Sequence, residues 1–238
     1  MKVSIVTAIL NSHKVVERQM RHYKGMPLPR DVEVIFVDDG SDPPLNPHAE
    51  PNFNFKLIAT NDFRAWTQPK ARNIGVKDAV GEYIIVTDID HILSRTLIDT
   101  VRSGQWDVVR FRRELGIIDE LGQFTQDVEE LVRYGVPRER LERRGVRVTP
   151  HTNSFGIRRD LYWKLGGVSE KRVGMEVHPH REEQPIKAGY KKLAQDGKIT
   201  VNADDERPVI YVIPNGRFCG DKDYNPFGLF HDLKRKTR

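Results

Sequence analysis

The polar and apolar positions of this chain fall into two alternating periods. Residues 2–9, 33–37, 55–60 and 83–86 are short apolar runs rich in β-branched residues, a pattern that suits buried strands. Between them, apolar residues recur every three or four positions. In the first such stretch Val15, Val16, Gln19, Met20 and Tyr23 share one side of a helix, which Asn11 or Ser12 can cap and which Gly25 and Pro27 end. In another, Pro69 suits the first turn of a helix running to about Val80, where Gly81 stops it. Strand, helix, strand forms a βαβ unit, with parallel strands and a right-handed crossover. Residues 43–54, rich in proline and asparagine, read as a loop.

Farther along, Ser94 is placed to cap a short helix, and residues 106–112 predict a single strand. Residues 127–147 are dominated by charge, with Leu131, Val132, Tyr134, Val136 and Leu141 as apolar anchors. They predict a surface helix pair or an insertion. Residues 159–165 predict a helix ended by Gly166-Gly167. Residues 182–188 predict another, which Pro185 restricts to an early or irregular turn. A late strand is expected over 209–213. The fold class is therefore α/β: a Rossmann-like, open, twisted and mostly parallel sheet flanked by helices. In such sheets ligands bind beyond the carboxyl ends of the strands.

Composition narrows the class without fixing the function. The 238 residues suffice for one large domain, or one domain with a small extension, and for a sizeable core. With 31% charged and 38% hydrophobic residues the chain reads as a globular protein with a well-charged surface. Its formal net charge of +5 favours anionic partners: phosphates, nucleotides, nucleic acid or an acidic membrane surface. Cys219 is the only cysteine, which rules out an intramolecular disulfide and a cysteine-rich metal site and fits a reducing, cytoplasmic location. No run of about 18 apolar residues occurs, so no transmembrane segment is expected.

Candidate chemistry sits at two strand ends. The second strand breaks at Asp38-Asp39-Gly40, and the strand over 83–86 runs into Asp88-Ile89-Asp90-His91. In extended chain, side chains repeat with period two, so Asp88 and Asp90 are expected on one side. Two such carboxylates repel unless a cation lies between them, and a divalent metal fills that role.

Five separated segments, in order, resemble the inverting family 2 glycosyltransferases of GT-A fold. They are Val3-Ser4-Ile5-Val6-Thr7-Ala8, Val37-Asp38-Asp39-Gly40-Ser41, Lys70-Ala71-Arg72-Asn73-Ile74-Gly75, Gly81 through Asp90, and Ile157 through Leu161 with Leu165-Gly166-Gly167-Val168. The likeness covers roughly residues 1–170 and thins beyond. It implies one GT-A catalytic domain over residues 1–238, with a nucleotide-sugar-binding half (1–112), an acceptor-binding half (113–233) and a basic tail (234–238). It also implies that Thr7 and Ala8 line a nucleotide pocket, that Asp39 holds the base, and that Arg72 meets ribose or diphosphate oxygens. Asp88 would approach the ribose or the metal's water shell, and Asp90 would bind Mn²⁺ or Mg²⁺ directly. Trp66 stacks on donor or acceptor, or fills the core.

An inverting transfer needs a general base. In the family this is an acidic residue before a late helix; here Glu182 and Glu183 match that place, with Glu176 and His178 as rivals. A third metal ligand is expected from His231 or from His178. The expected partners are a nucleotide-diphosphate sugar, UDP-linked by preference, and an acceptor hydroxyl on a glycan, a protein or a modified nucleic acid. The basic run over 138–147 either guides an anionic acceptor or is a solvated helix face. Two other classes stay open. A sugar nucleotidyltransferase would carry a glycine-rich phosphate loop after its first strand, which Ala8-Ile9-Leu10-Asn11-Ser12 lacks. A non-catalytic nucleotide- or glycan-binding module would keep the fold alone.

Overall fold

A computed structural model describes residues 2–48, 50–149, 153–175, 182–216, 218–219, 221 and 223–229. The chain opens with β1 (Val3–Ile9), α1 (His13–Gly25), β2 (Val32–Asp38), β3 (Asn54–Ala59), α2 (Gln68–Asp78) and β4 (Tyr83–Thr87). Next come β5 (His91–Leu93), α3 (Arg95–Arg102), β6 (Val108–Arg110), β7 (Arg112–Leu115), β8 (Ile117–Ile118) and β9 (Phe124–Thr125). They are followed by α4 (Val128–Arg133), α5 (Arg138–Arg144), β10 (Arg147–Val148), β11 (Phe155–Arg158), α6 (Arg159–Lys164), α7 (Gln184–Gln195) and β12 (Val209–Val212).

Six strands form the main sheet in the order β3-β2-β1-β4-β11-β6. The first four are parallel, as the βαβ pattern predicts, whereas β11 runs antiparallel to both of its neighbours. Every residue of β1, β2 and β4 is buried, which is why these strands read as unbroken apolar runs rather than alternating ones. On one face Ile5 and Val34 pack with Val16, Met20 and Tyr23 of α1 and with Leu97 and Val101 of α3. On the other, Val6, Val37 and Ile84 meet Ala71 and Val76 of α2, Tyr162 of α6 and Ile186 of α7. Each fully buried aliphatic side chain of this kind stabilises the fold by about 1.5–3 kcal/mol. A smaller sheet, β10-β7-β12-β5, and helices α4 and α5 enclose a third cluster that includes Ile92, Leu115, Leu131, Leu141 and Phe227.

The approach of α2 to the sheet depends on Gly75. A Cβ there would lie 2.5 Å from Val6 Cγ1 and 2.8 Å from Val37 Cγ2, so a larger residue would push the helix off β1 and β2. Arg72, one turn earlier on α2, owes its depth to the same packing. At the helix's other neighbour, Asn73 Oδ1 accepts from Tyr162 Oη at 2.6 Å and from Val168 N at 3.1 Å, while Nδ2 donates to the Val168 carbonyl at 2.9 Å. One buried amide thereby fixes the Gly166-Gly167-Val168 turn against α2.

Three local expectations need correction. The single strand expected over 106–112 is two strands in two sheets. Asn202 holds Arg110 by accepting from its backbone N–H at 2.7 Å, and after buried Phe111 the chain crosses to the smaller sheet. The last helix does not stop near residue 188: Pro185 lies in the first turn of α7, where a missing N–H costs nothing, and the helix runs to Gln195. Neither candidate cap of α1 acts through its side chain. Ser12 Oγ donates to the Leu10 carbonyl at 3.0 Å, and Asn11 Oδ1 accepts from Asp42 N at 2.7 Å, pinning the chain end of β1 to the loop after β2. Ser94 does cap α3, accepting from Leu97 N at 3.2 Å. Among the described residues, no helix is long and apolar enough to cross a membrane.

Candidate active site

The strand order creates the site. From β1 the chain moves outward to β2 and β3, then returns to lay β4 on the other side of β1. The carboxyl ends of β1 and β4 therefore diverge at a switch point, and this is where open α/β sheets bind ligands. Thr7 and Thr87 pair in register at that crevice, and Ala8 follows; all three are buried. Asp39 stands just beyond β2, 2% exposed, with its N–H donated to the Ile9 carbonyl at 2.8 Å. The turn there is tied by Asp38, whose two oxygens accept from Ser41 N at 2.9 Å and Leu45 N at 2.8 Å. Gly40 is required at this turn: its φ is +83°, and a Cβ would stand 2.7 Å from the Asp62 carbonyl oxygen.

Beyond β4 the chain is not extended. The His91 N–H donates to the Asp88 carbonyl at 3.1 Å, closing a turn, and Asp90 O accepts from Ile213 N at 2.9 Å. Strand alternation is thus not what unites Asp88 and Asp90. The turn does so, and it also folds His91 back beside them. Donor atoms of Asp88, Asp90 and His91 all lie within 4.8 Å of one another. Among the described residues this is the one such group of metal-ligating side chains.

The histidine is 2% exposed, and burial lowers its pKa despite the nearby Asp90 and Asp88 carboxylates, so the ring is neutral at physiological pH. Ser154 Oγ lies 2.8 Å from His91 Nδ1 and 3.2 Å from Thr87 Oγ1, which orients the ring. Nδ1 also stands 4.0 Å from Asp88 Oδ2, while Nε2 is buried with no hydrogen-bond partner among the described residues. A neutral imidazole whose other nitrogen is anchored by a hydrogen bond is the form that ligates metal. With two carboxylates beside it, the donor set suits a divalent cation such as Mn²⁺ or Mg²⁺.

Asp88 is the best-anchored member. It accepts from Arg72 Nη2, from Gln68 Nε2 at 3.5 Å and, on its other oxygen, from Asn153 Nδ2 at 3.3 Å. No hydrogen bond to the Asp90 carboxylate occurs among the described residues, and the residue is half-buried.

A family model described as "Glycosyl transferase family 2" matches residues 4–166. The chain belongs to that family. Structures of TarS 1–349 from S. aureus match at TM-scores of 0.56 with UDP and 0.58 with UDP-GlcNAc, at 16% and 14% identity. Each alignment covers 90% of this chain, and 61% and 59% of TarS 1–349 respectively. The mannosyltransferase PcManGT from Pyrobaculum calidifontis, in complex with GDP-Man and Mn²⁺, matches at a TM-score of 0.51 and 16% identity, over 87% of this chain and 56% of that one. The chain thus spans less than two thirds of these structures, and at such identities the likeness is one of GT-A fold. No curated protein matches the sequence.

Within this family 2 chain, the acidic pair before α7 is held from the α2 side. Arg72 is 1% exposed; its Nη1 donates to Glu183 Oε1 and its Nη2 to Asp88 Oδ1. Burial disfavours the guanidinium's charge, but the Asp88 and Glu183 carboxylates outweigh it and keep its pKa above the usual value. Arg72 therefore places Glu183 within one guanidinium's breadth of Asp88. Glu182 faces Trp66, whose Nε1–H donates to Glu182 Oε1 at 2.5 Å. Burial raises the pKa of Glu182, opposed by its own backbone N–H and by the indole. Trp66 is 4% exposed.

Three candidates, Glu176, His178 and His231, lie outside the described residues. The sequence pattern points to His178 and His231 for a third ligand and does not single out His91. The available signal was adjacency in Asp88-Ile89-Asp90-His91, masked because an extended chain would point His91 away from both aspartates.

Proposed function

We propose that this chain transfers a sugar from a nucleotide-diphosphate sugar, UDP-linked by preference, to an acceptor hydroxyl, with inversion at the anomeric carbon. The observation that carries this reading is the Asp88–Asp90–His91 cluster at the switch point of a family 2 sheet. Asp88, Asp90 and His91 are the groups that would hold Mn²⁺ or Mg²⁺. When bound, the ion supplies charge neutralisation for a departing diphosphate. Support comes from the solved relatives, one bound to UDP-GlcNAc and one to GDP-Man with Mn²⁺.

The chain's own residues divide the remaining work. Thr7 and Ala8 line the nucleotide pocket at the end of β1, and the Asp39 carboxylate accepts the imide N–H of uracil. Glu182 is the general base: it is half-buried, has a raised pKa, and takes the proton from the attacking hydroxyl. Glu183, gripped by Arg72, anchors the segment instead. The acceptor is a hydroxyl of a glycan, a protein or a modified nucleic acid, with a glycan the leading class.

Purified protein given UDP-sugar and Mn²⁺ without acceptor is expected to release UDP slowly, and EDTA to stop the release. Nucleotide sugars that raise the melting temperature, with none of them hydrolysed, would instead identify a binding module.

Glu182→Gln is expected to leave donor binding intact and to lower transfer at least about 100-fold. Transfer needs the carboxylate, so activity is full above the raised Glu182 pKa and is lost as pH falls through it. The acid limb of kcat/KM should therefore lie above the ordinary glutamate range and vanish in Glu182→Gln. Unchanged transfer by this variant would move the base to Glu183, Glu176 or His178.

A further inference from the structure

Trp66 has a φ of +55°, in the left-handed region that a bulky side chain adopts only when its surroundings enforce it. Those surroundings can be named. The preceding carbonyl, Ala65 O, accepts from Gly174 N at 2.8 Å, and Thr67 leads directly into α2 at Gln68. The ring is 4% exposed. What the unusual backbone achieves is an aim: the indole N–H meets Glu182 Oε1 at 2.5 Å, across 116 residues of sequence. Glu182 is fixed from its other side too, since its carbonyl accepts from Ser169 N at 3.2 Å.

The indole is a donor only, so it rewards the ionised carboxylate and a single rotamer of it. The other charges facing Glu182 act in opposite directions: neighbouring Glu183 disfavours its ionisation and Arg72 favours it. From these contacts we infer that Trp66 is a positioning residue for the transfer reaction, its strained backbone directing an indole N–H that locks the Glu182 carboxylate in one orientation. The inference rests on the proposed function, in which Glu182 is the base. Trp66 touches neither donor nor metal in this role; it acts through Glu182.

Trp66→Phe keeps an aromatic ring and removes the N–H. It is expected to lower transfer kcat about tenfold or more, with donor KM and UDP binding unchanged. Without the donor the Glu182 pKa rises, so the acid limb of the pH profile should move to higher pH. In a Glu182→Gln background the same substitution should add no further loss. An equal loss in both backgrounds, or an unmoved acid limb, overturns the inference while leaving the base assignment standing. Full transfer by Glu182→Gln alone would instead overturn the base assignment, and this inference with it. If Trp66→Phe fails to fold, the unsubstituted protein still decides: its Trp66 indole ¹H–¹⁵N resonance should shift upfield in Glu182→Gln. An unchanged resonance would count against the contact.

Discussion

Asp90→Ala should abolish Mn²⁺-dependent release of UDP from a UDP-sugar while leaving the melting temperature within about 1–2 °C of the parent. The separation of the two effects follows from the site's construction. The Asp90 carboxylate is half-exposed and has no hydrogen bond among the described residues, so folding loses little when it is removed. It also stands beside the Asp88 carboxylate and the buried His91 ring, so its removal relieves repulsion in the ion-free protein. A bound ion would lose one of three donors. A divalent ion contributes several kcal/mol to a departing diphosphate, which at about 1.4 kcal/mol per tenfold corresponds to a loss of roughly 10³ or more. Isothermal titration with Mn²⁺ should show weakened binding in parallel. Retained Mn²⁺ affinity and retained turnover would move the metal away from this turn.

Arg72→Met should have the opposite signature: a large fall in stability. Arg72 is almost wholly inside the protein, and each arm meets a carboxylate from a different element. Removing it leaves Asp88 and Glu183 facing each other without a cation, and breaking a buried pair from one side costs about 3–5 kcal/mol. At about 2–4 °C per kcal/mol for a chain of this size, the melting temperature should fall by roughly 10 °C. Arg72→Lys should recover only part, because one ammonium cannot present two parallel N–H groups to two carboxylates. Combining Arg72→Met with Glu183→Gln should restore some of the loss, since one of the uncompensated charges is then gone. A melting temperature unchanged in Arg72→Met, with donor binding weakened, would return Arg72 to the diphosphate-contacting role that the family resemblance implies.

Both predictions depend on contacts that differ greatly in how far the sequence exposes them. The strands β1 and β4 are buried on both faces, so each appears as an unbroken apolar run, and the carboxylates at their ends are visible by position. The turn that gathers Asp88, Asp90 and His91 is not visible. Alternation along an extended chain predicts a shared side for the aspartates and the opposite side for the histidine, whereas a hydrogen bond from His91 N to Asp88 O reverses the chain and joins all three. The end of residues 106–112 failed for a related reason: buried Val108, Val109 and Phe111 fit one strand in sequence, yet the chain changes sheets at Phe111. Pro185 suggests a helix confined to an early or irregular turn, whereas its place in the first turn lets α7 run on to Gln195.

By itself the sequence determined the α/β class, the parallel strands, the two acidic strand ends and the family, because each is written in local periodicity or in short contiguous motifs. Only the tertiary structure decided the partners of Arg72, which lie 16 and 111 residues away, and the meeting of Trp66 with Glu182 across 116. Local pattern records which faces must be buried. It does not record which buried charges will meet, since that depends on how closely α2 can approach the sheet over Gly75 and on where the start of α7 is laid beside it.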